Sequence, residues 1–135
     1  MRKGRFRVSE AMILLFALDE AVSSELSSTL NGLGSQMRAE ICSTIADYER
    51  IREQRQPDVI FCSSNADRLA EILQSHPGSP VIAVSRLPEV HQWLDAIEAG
   101  ASDYCAAPFE ARHIRWILDS NVGNDLRRAE EAAHA

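Results

Sequence analysis

The sequence predicts a single α/β domain built on a five-stranded parallel sheet with helices on both faces. Short apolar runs of strand length alternate strictly with segments of helical periodicity, five of each, and this alternation is typical of parallel sheets. The first apolar run is continuous, as expected for a strand that is covered on both faces. The chain has 135 residues, which is enough for one domain with its own core.

The predicted strands are the apolar runs themselves, taken in chain order. They cover residues 12–18, 37–42, 59–62, 81–84 and 104–106. The first run, which follows a basic start, could also pass for a signal peptide. The whole apolar run, Ala11–Leu18, is only eight residues long, however, and Asp19 and Glu20 follow at once, so a buried strand explains it better.

Each predicted helix has apolar residues spaced three and four apart, which predicts one buried face per helix. The predicted inward-facing residues are Val22, Leu26, Leu30 and Leu33; Ile45, Tyr48 and Ile51; Leu69, Ile72 and Leu73; Val90, Leu94 and Ile97; and Ile114, Ile117 and Leu118. For one domain of this size, the natural candidate is the flavodoxin-like strand order 2-1-3-4-5.

Composition and charge exclude several function classes. The formal net charge of −6 argues against a general affinity for nucleic acid or for anionic membranes. No stretch is long enough to span a bilayer. We divide the chain into a basic leader (1–10), the domain (11–120) and a helix-prone tail without an apolar face (121–135).

The three cysteines are few and widely spaced. Cys42, Cys62 and Cys105 fit no metal-ligand pattern. Cys62 and Cys105 lie in apolar runs, where a free cysteine behaves as a small hydrophobic residue. This pattern indicates a reducing compartment without disulfide bonds, and we therefore expect a cytoplasmic protein.

Three segments resemble a known family. "PDVIFCS" (57–63), "PVIAVS" (80–85) and "AIEAGASDYCAAPF" (96–109) resemble PDLVLLD, PVIVLT and ALEAGADDYLxKPF of the CheY-like receiver domains of response regulators. "ILLFALDE" (13–20) resembles ILVVDDE more loosely. The resemblance implies the flavodoxin-like fold and a role in two-component or phosphorelay signal transduction.

In that family, an acidic pair after strand one and an aspartate after strand three hold Mg²⁺. The aspartate accepts a phosphoryl group, which a lysine after strand five neutralises. A hydroxyl after strand four bonds to the phosphate and draws an aromatic on strand five inward. Each of these parts serves to neutralise concentrated negative charge.

This sequence departs from that pattern at the charged positions. The acidic pair falls on Leu18 and Asp19, the phospho-acceptor on Ser63 and the lysine on Ala107. Only Ser85, at the hydroxyl position, and Tyr104, at the switch-aromatic position, match. A shift of one residue on strand one would put Ala17 and Leu18 at the pair. The loop after strand three is also shorter than in the family.

These departures predict a degenerate phosphorylation pocket with Asp19 as its sole acid. One carboxylate and a few hydroxyls make a poor Mg²⁺ site, so we expect no metal, no cofactor and no enzymatic activity. Ser63 as a nucleophile would need a general base, and an inert serine is the simpler interpretation. Asp58 and Asp67 do not align with the acceptor, and we expect them to be solvated.

Two further features have a functional and an ordinary interpretation. Tyr104 is either a retained rotamer switch or, as we favour, an ordinary edge-strand aromatic. Trp116 should lie on the outer face of the last helix beside Arg112 and His113, and Trp93 should flank the buried stripe of the preceding helix. These four residues are a candidate interface, since the last two helices and strand five form the common docking and dimer face of receivers.

We therefore expect an atypical receiver that acts as a phosphorylation-independent interaction module, with a protein partner or a second copy. One alternative is a small-molecule-binding or catalytic flavodoxin-like domain, although no Gly-rich phosphate loop or nucleophile–base pair is present. Another is a receiver that is still phosphorylated at an unexpected residue.

Overall fold

A computed structural model describes residues 11–34, 37–87 and 89–121. The leader 1–10 and the tail from residue 122 lie outside the described residues, and so do Ser35, Gln36 and Pro88. The strands are β1 (Ala11–Phe16), β2 (Met37–Cys42), β3 (Val59–Ser63), β4 (Val81–Ser85) and β5 (Asp103–Ala106). The helices are α1 (Glu20–Leu33), α2 (Ile45–Gln54), α3 (Ala66–Gln74), α4 (Val90–Ala99) and α5 (Ala111–Asn121).

The sheet is parallel throughout and has the order β2-β1-β3-β4-β5. The predicted fold class and strand order are therefore confirmed. One core layer packs α1 and α5 against one face of the sheet, and a second layer packs α2, α3 and α4 against the other. Because all strands run in one direction, their carboxyl ends meet at one edge of the sheet, where α/β domains place their sites.

Strand β1 is shorter than predicted. The apolar run continues to Leu18, but the strand ends at Phe16 because Ala17 has a φ of 62°. This left-handed conformation is incompatible with a strand. Asp19 then begins α1 by accepting a hydrogen bond from the Val22 amide at 2.9 Å, which is an N-cap.

Four of the five helices bury the predicted face. The inward residues of α1 and α5 are buried apart from Leu33, which is half-buried. In α2 and α3, Tyr48, Leu69 and Ile72 are buried, while the other predicted residues are partly exposed. Helical periodicity therefore identified the packing face of these four helices.

The predicted buried stripe of α4 is wrong. Val90, Leu94 and Ile97 are 66%, 52% and 41% exposed, and within the helix only Ala96 is buried. Ala96 packs into the core layer that α2, α3 and α4 share. A groove of about 600 Å³ separates α4 from α3, and its walls include Leu73 and Ala96. The large apolar residues therefore face away from the domain.

The sequence predicts a solvated Asp58, but in the structure its carboxylate is bonded to other residues. Its carboxylate accepts a hydrogen bond from the Met12 amide at 2.7 Å and lies 3.2 Å from the Arg55 guanidinium. It thereby joins the start of β3 to β1. Asp67, in contrast, is exposed in the first turn of α3, as predicted.

Candidate functional site

An open cavity of about 390 Å³ lies at the carboxyl edge of the sheet, over the ends of β1, β3 and β4. Among the predicted pocket residues, Leu18, Asp19, Ser63 and Ser85 line it. Its other lining residues are Ala17, Val22, Ser64, Asn65, Val84, Arg86, Leu87, Glu89 and Gln92. The fold thus brings four of the five predicted pocket residues together.

Ala107, the fifth, is not part of the cavity lining. Its amide donates a hydrogen bond to the Ser85 carbonyl at 3.1 Å, so it lies at the end of β5 beside β4. A methyl group at this position carries no charge. The position where the resemblance predicts a lysine therefore supplies no cation to the cavity.

Each oxygen of the Asp19 carboxylate contacts another group of the protein. Oδ1 accepts the Val22 amide at 2.9 Å, and Oδ2 lies 3.4 Å from Nε of Arg86. Leu18, next to it, is partly buried against the core layer of α1 and α5. Asp19 therefore caps α1, and its second oxygen makes a long, exposed ion pair with Arg86, which is weak.

The sequence predicts a neutral cavity with Asp19 as its sole acid, but the structure places two more charged residues there. Arg86 and Glu89 also line it. Both belong to the loop between β4 and α4, which carries no motif that would have placed them there. The cavity thus contains two carboxylates and one guanidinium instead of one carboxylate.

The serine hydroxyls of the cavity are bonded to protein groups. Ser63 Oγ accepts the Asn65 amide at 3.1 Å, and Ser64 Oγ donates to the Gln92 side-chain oxygen at 3.1 Å. The Asn65 side chain in turn caps α3 by accepting the Asp67 and Arg68 amides. No general base is among the bonding partners of Ser63 that the structure describes, so it lacks the activation that a nucleophilic serine needs.

These residues do not fit a Mg²⁺ ion. Magnesium needs several oxygen ligands in near-octahedral array, and the carboxylates in the cavity lining are those of Asp19 and Glu89. Across the described segments, no cluster of three or more His, Cys, Asp or Glu side chains could hold a metal. No phosphoryl-transfer step through a metal can be derived from this geometry.

The residue at the switch-aromatic position makes specific contacts. Tyr104 Oη lies 2.6 Å from Ser85 Oγ, and it accepts the Glu89 amide at 3.3 Å. Ser85 is buried, and its hydroxyl also donates to the Leu87 carbonyl at 2.6 Å. Sequence reasoning placed these two residues at neighbouring strand ends but did not predict that they bond to each other.

The three cysteines are free and buried. Burial raises the pKa of Cys42 to about 11 and of Cys62 and Cys105 to about 12. Neighbouring Glu40 and Asp103 add to the increase in the pKa of Cys42 and Cys105, respectively. Thiols of this kind are poor nucleophiles, so they are packing residues and carry no candidate chemistry.

A large apolar surface lies beside the cavity. It consists of α4 side chains at helical spacing together with one residue of the preceding loop, and we name it the α4 patch. Its members, with their exposed fractions, are Leu87 (68%), Val90 (66%), Trp93 (48%), Leu94 (52%) and Ile97 (41%). Patches of this kind on a protein surface mark interaction sites.

The other candidate interface residues lie on α5. Trp116 is 59% exposed, and Arg112 and His113 are exposed beside it. Helix α4 packs on one face of the sheet and α5 on the other, so they flank the edge strand β5. In the part of the chain that the structure describes, no helix is long and apolar enough to cross a membrane.

The fold is that of response-regulator receiver domains. The receiver domain of NtrX from Brucella abortus superposes with a TM-score of 0.61 at 24% identity, over 80% of this chain and 95% of that chain. The chemotaxis protein CheY4 of Vibrio cholerae gives a TM-score of 0.64 at 16% identity, covering 83% and 98%. A two-component response regulator from Clostridium difficile gives 0.65 at 15%, covering 82% and 94%.

Longer proteins contain the same fold. In the structure of NtrX from B. abortus in complex with ADP, the match covers 93% of this chain but 29% of that chain, with a TM-score of 0.71 and 20% identity. No protein-family model matches this sequence, and no curated protein matches it. At these identities the comparisons show the fold, and the sites must be argued from the chain's own residues.

Proposed function

We propose that this chain is an atypical receiver domain that acts in cytoplasmic signal transduction through contact with a protein partner and without phosphoryl transfer. The observation that carries the proposal is the α4 patch. A helix that turns its large apolar side chains outward leaves them in water unless another surface covers them. Burying a leucine-sized side chain contributes about 1.5–3 kcal/mol, so a partner on this patch gains a large favourable term.

The chemistry of the cavity supports the second half of the proposal. A phosphoryl group needs an acceptor carboxylate and counter-charges that are free to meet it. Here Ser63 stands at the acceptor position, Ala107 at the lysine position, and Asp19 is engaged with Val22 and Arg86. The domain keeps the fold while its pocket lacks the acceptor and the lysine.

We propose a second copy of the chain as the partner, through α4, β5 and α5. The α4 patch is flanked by the acidic residues Glu89, Asp95 and Glu98, and α4 contains no Lys or Arg. The exposed face of α5 contains Arg112 and Arg115 beside Trp116. A two-fold interface lets α4 of each copy meet α5 of the other, which would bring opposite charges together twice.

Self-association of purified protein tests the interface. Sedimentation velocity over a concentration series should show a dimer for the natural chain. Replacing Trp93 with Ala and Leu94 with Ser should weaken dimerisation by at least about tenfold, and Trp116→Ala should weaken it as well. Ile41→Ser is the matched control, since Ile41 is 60% exposed but lies on β2 at the opposite edge of the sheet. A natural chain that stays monomeric would exclude the second copy, and equal effects of all variants would exclude the patch.

A charge exchange tests the pairing of the two helices. A Glu98→Arg chain has basic residues on both helices, and an Arg112→Glu chain has an acidic residue on both. Each variant should dimerise poorly alone, whereas an equimolar mixture should regain the dimer at low ionic strength. A mixture that associates no better than the separate variants would contradict the α4–α5 arrangement.

Intact mass measurement tests the absence of phosphoryl transfer. Incubation with Mg²⁺ and acetyl phosphate should leave the mass unchanged, while a receiver that has the acceptor aspartate serves as the positive control. A stable phosphoryl adduct would favour the alternative in which another residue accepts the group. A small molecule that binds the cavity beside Asp19 and Ser63 would instead favour the ligand-binding alternative.

A further inference from the structure

A chain of hydrogen bonds joins the edge strand β5 to the loop before α4. Ser85 Oγ lies 2.6 Å from the Leu87 carbonyl and 2.6 Å from Tyr104 Oη, and Tyr104 Oη lies 3.3 Å from the Glu89 amide. Each hydroxyl has one proton to donate. With Ser85 donating to the Leu87 carbonyl at 2.6 Å, Tyr104 donates to Ser85 and accepts from Glu89. The Leu87 carbonyl also lies 3.4 Å from Tyr104 Oη, as a second and more distant acceptor. Linked hydrogen bonds of this kind reinforce one another.

The start of α4 depends on these bonds more than the starts of α1, α2 and α3 do. Asp19, Thr44 and Asn65 cap α1, α2 and α3 with their side chains. At Glu89, the N-cap of α4, no side-chain cap bond is found among the described residues. The Glu89 carbonyl accepts the first helical bond, from the Trp93 amide at 3.1 Å. The phenol of Tyr104 thus holds the residue from which α4 begins.

We propose that Ser85 and Tyr104 form a hydroxyl latch that holds Leu87, Glu89 and the first turn of α4 in place without any phosphoryl group. The latch rests on the proposed function in one respect, since the surface that it positions is the α4 patch. Leu87 belongs to the patch and accepts the Ser85 hydroxyl proton through its carbonyl. Tyr104 is therefore a positioning residue of the patch.

Amide hydrogen exchange on the full chain, measured by NMR, tests the latch. Tyr104→Phe keeps the ring and removes the hydroxyl, and Ser85→Ala removes the other one. In both variants the amides of Glu89 and Trp93 should exchange roughly five- to tenfold faster, as expected for the loss of one or two neutral hydrogen bonds. The Leu69 amide, which makes the equivalent first bond of α3 to Asn65, should keep its rate.

Tyr48→Phe is the matched control, because it removes a phenol that accepts a hydrogen bond from Arg52 at 2.8 Å, on another helix. Unchanged exchange at Glu89 and Trp93 in both latch variants would overturn the proposal, and so would equal acceleration in Tyr48→Phe. The outcome is independent of the proposed function. If the α4 patch binds nothing, the exchange still accelerates, and if the latch is absent, the exchange stays the same whatever the patch binds.

Discussion

The outward orientation of α4 underlies the functional proposals, and one pair of substitutions measures it. Leu94 and Leu69 both lie on helices and both belong to apolar faces in the sequence. Leu94 is 52% exposed, whereas Leu69 is 2% exposed. If α4 packed as its periodicity alone suggests, both leucines would be core residues, and Leu→Ala would cost about 2–5 kcal/mol at each.

The structure gives different magnitudes for the two sites. Complete burial of a leucine is worth about 1.5–3 kcal/mol, and about half of the Leu94 side chain is already in contact with water. Leu94→Ala should therefore lower the free energy of unfolding by about 1 kcal/mol or less, because alanine also has the higher helix propensity. Leu69→Ala leaves a cavity between α3 and the sheet and should cost about 3 kcal/mol.

Urea unfolding measures the difference. The midpoints should separate at equal slope, since both variants expose similar surface on unfolding. The experiment needs a low protein concentration, because a dimer that covers Leu94 would add concentration-dependent stability. A Leu94→Ala cost within about 0.5 kcal/mol of the Leu69→Ala cost would show that α4 buries its apolar face, and this result would remove the α4 patch.

Three further expectations follow from local geometry. Ala17→Gly should raise the free energy of unfolding by about 0.5–1 kcal/mol in urea titrations, because glycine adopts the left-handed conformation without the alanine penalty; a loss of stability would contradict the left-handed assignment. Asp58→Ala should lower it by about 1–3 kcal/mol, since the Met12 amide loses its acceptor, and no change in the thermal midpoint would mean that water replaces the bond. A thiol reagent at pH 8 should leave all three buried cysteines unmodified until denaturant is added, and rapid labelling of the native protein would refute their burial. The free energy of unfolding should also fall as the pH rises from about 9 towards 12, because the burial-raised pKa values of the folded thiols make the unfolded thiols ionise first.

Most of the fold could be predicted because its signals are local. Strand β2 has the predicted boundaries, since turn and cap residues mark both ends. The convergence of Leu18, Asp19, Ser63 and Ser85 was also predictable, because parallel strands must end at the same edge. Arg86 and Glu89 were missed in the cavity, since a loop residue reaches a site through a backbone path that no spacing rule encodes.

The amino-acid sequence by itself determined the alternation of strands and helices, the parallel sheet and the uncharged side chains at Ser63 and Ala107. Only the tertiary structure decided which way α4 faces and where the Tyr104 hydroxyl goes. Periodicity defines an apolar face on a helix, but the surface opposite that helix decides whether the face is buried, and here α4 packs through Ala96 while its larger apolar side chains stay exposed. The Ser85–Tyr104 bond likewise joins residues 19 positions apart, so it exists only once β4 and β5 are paired.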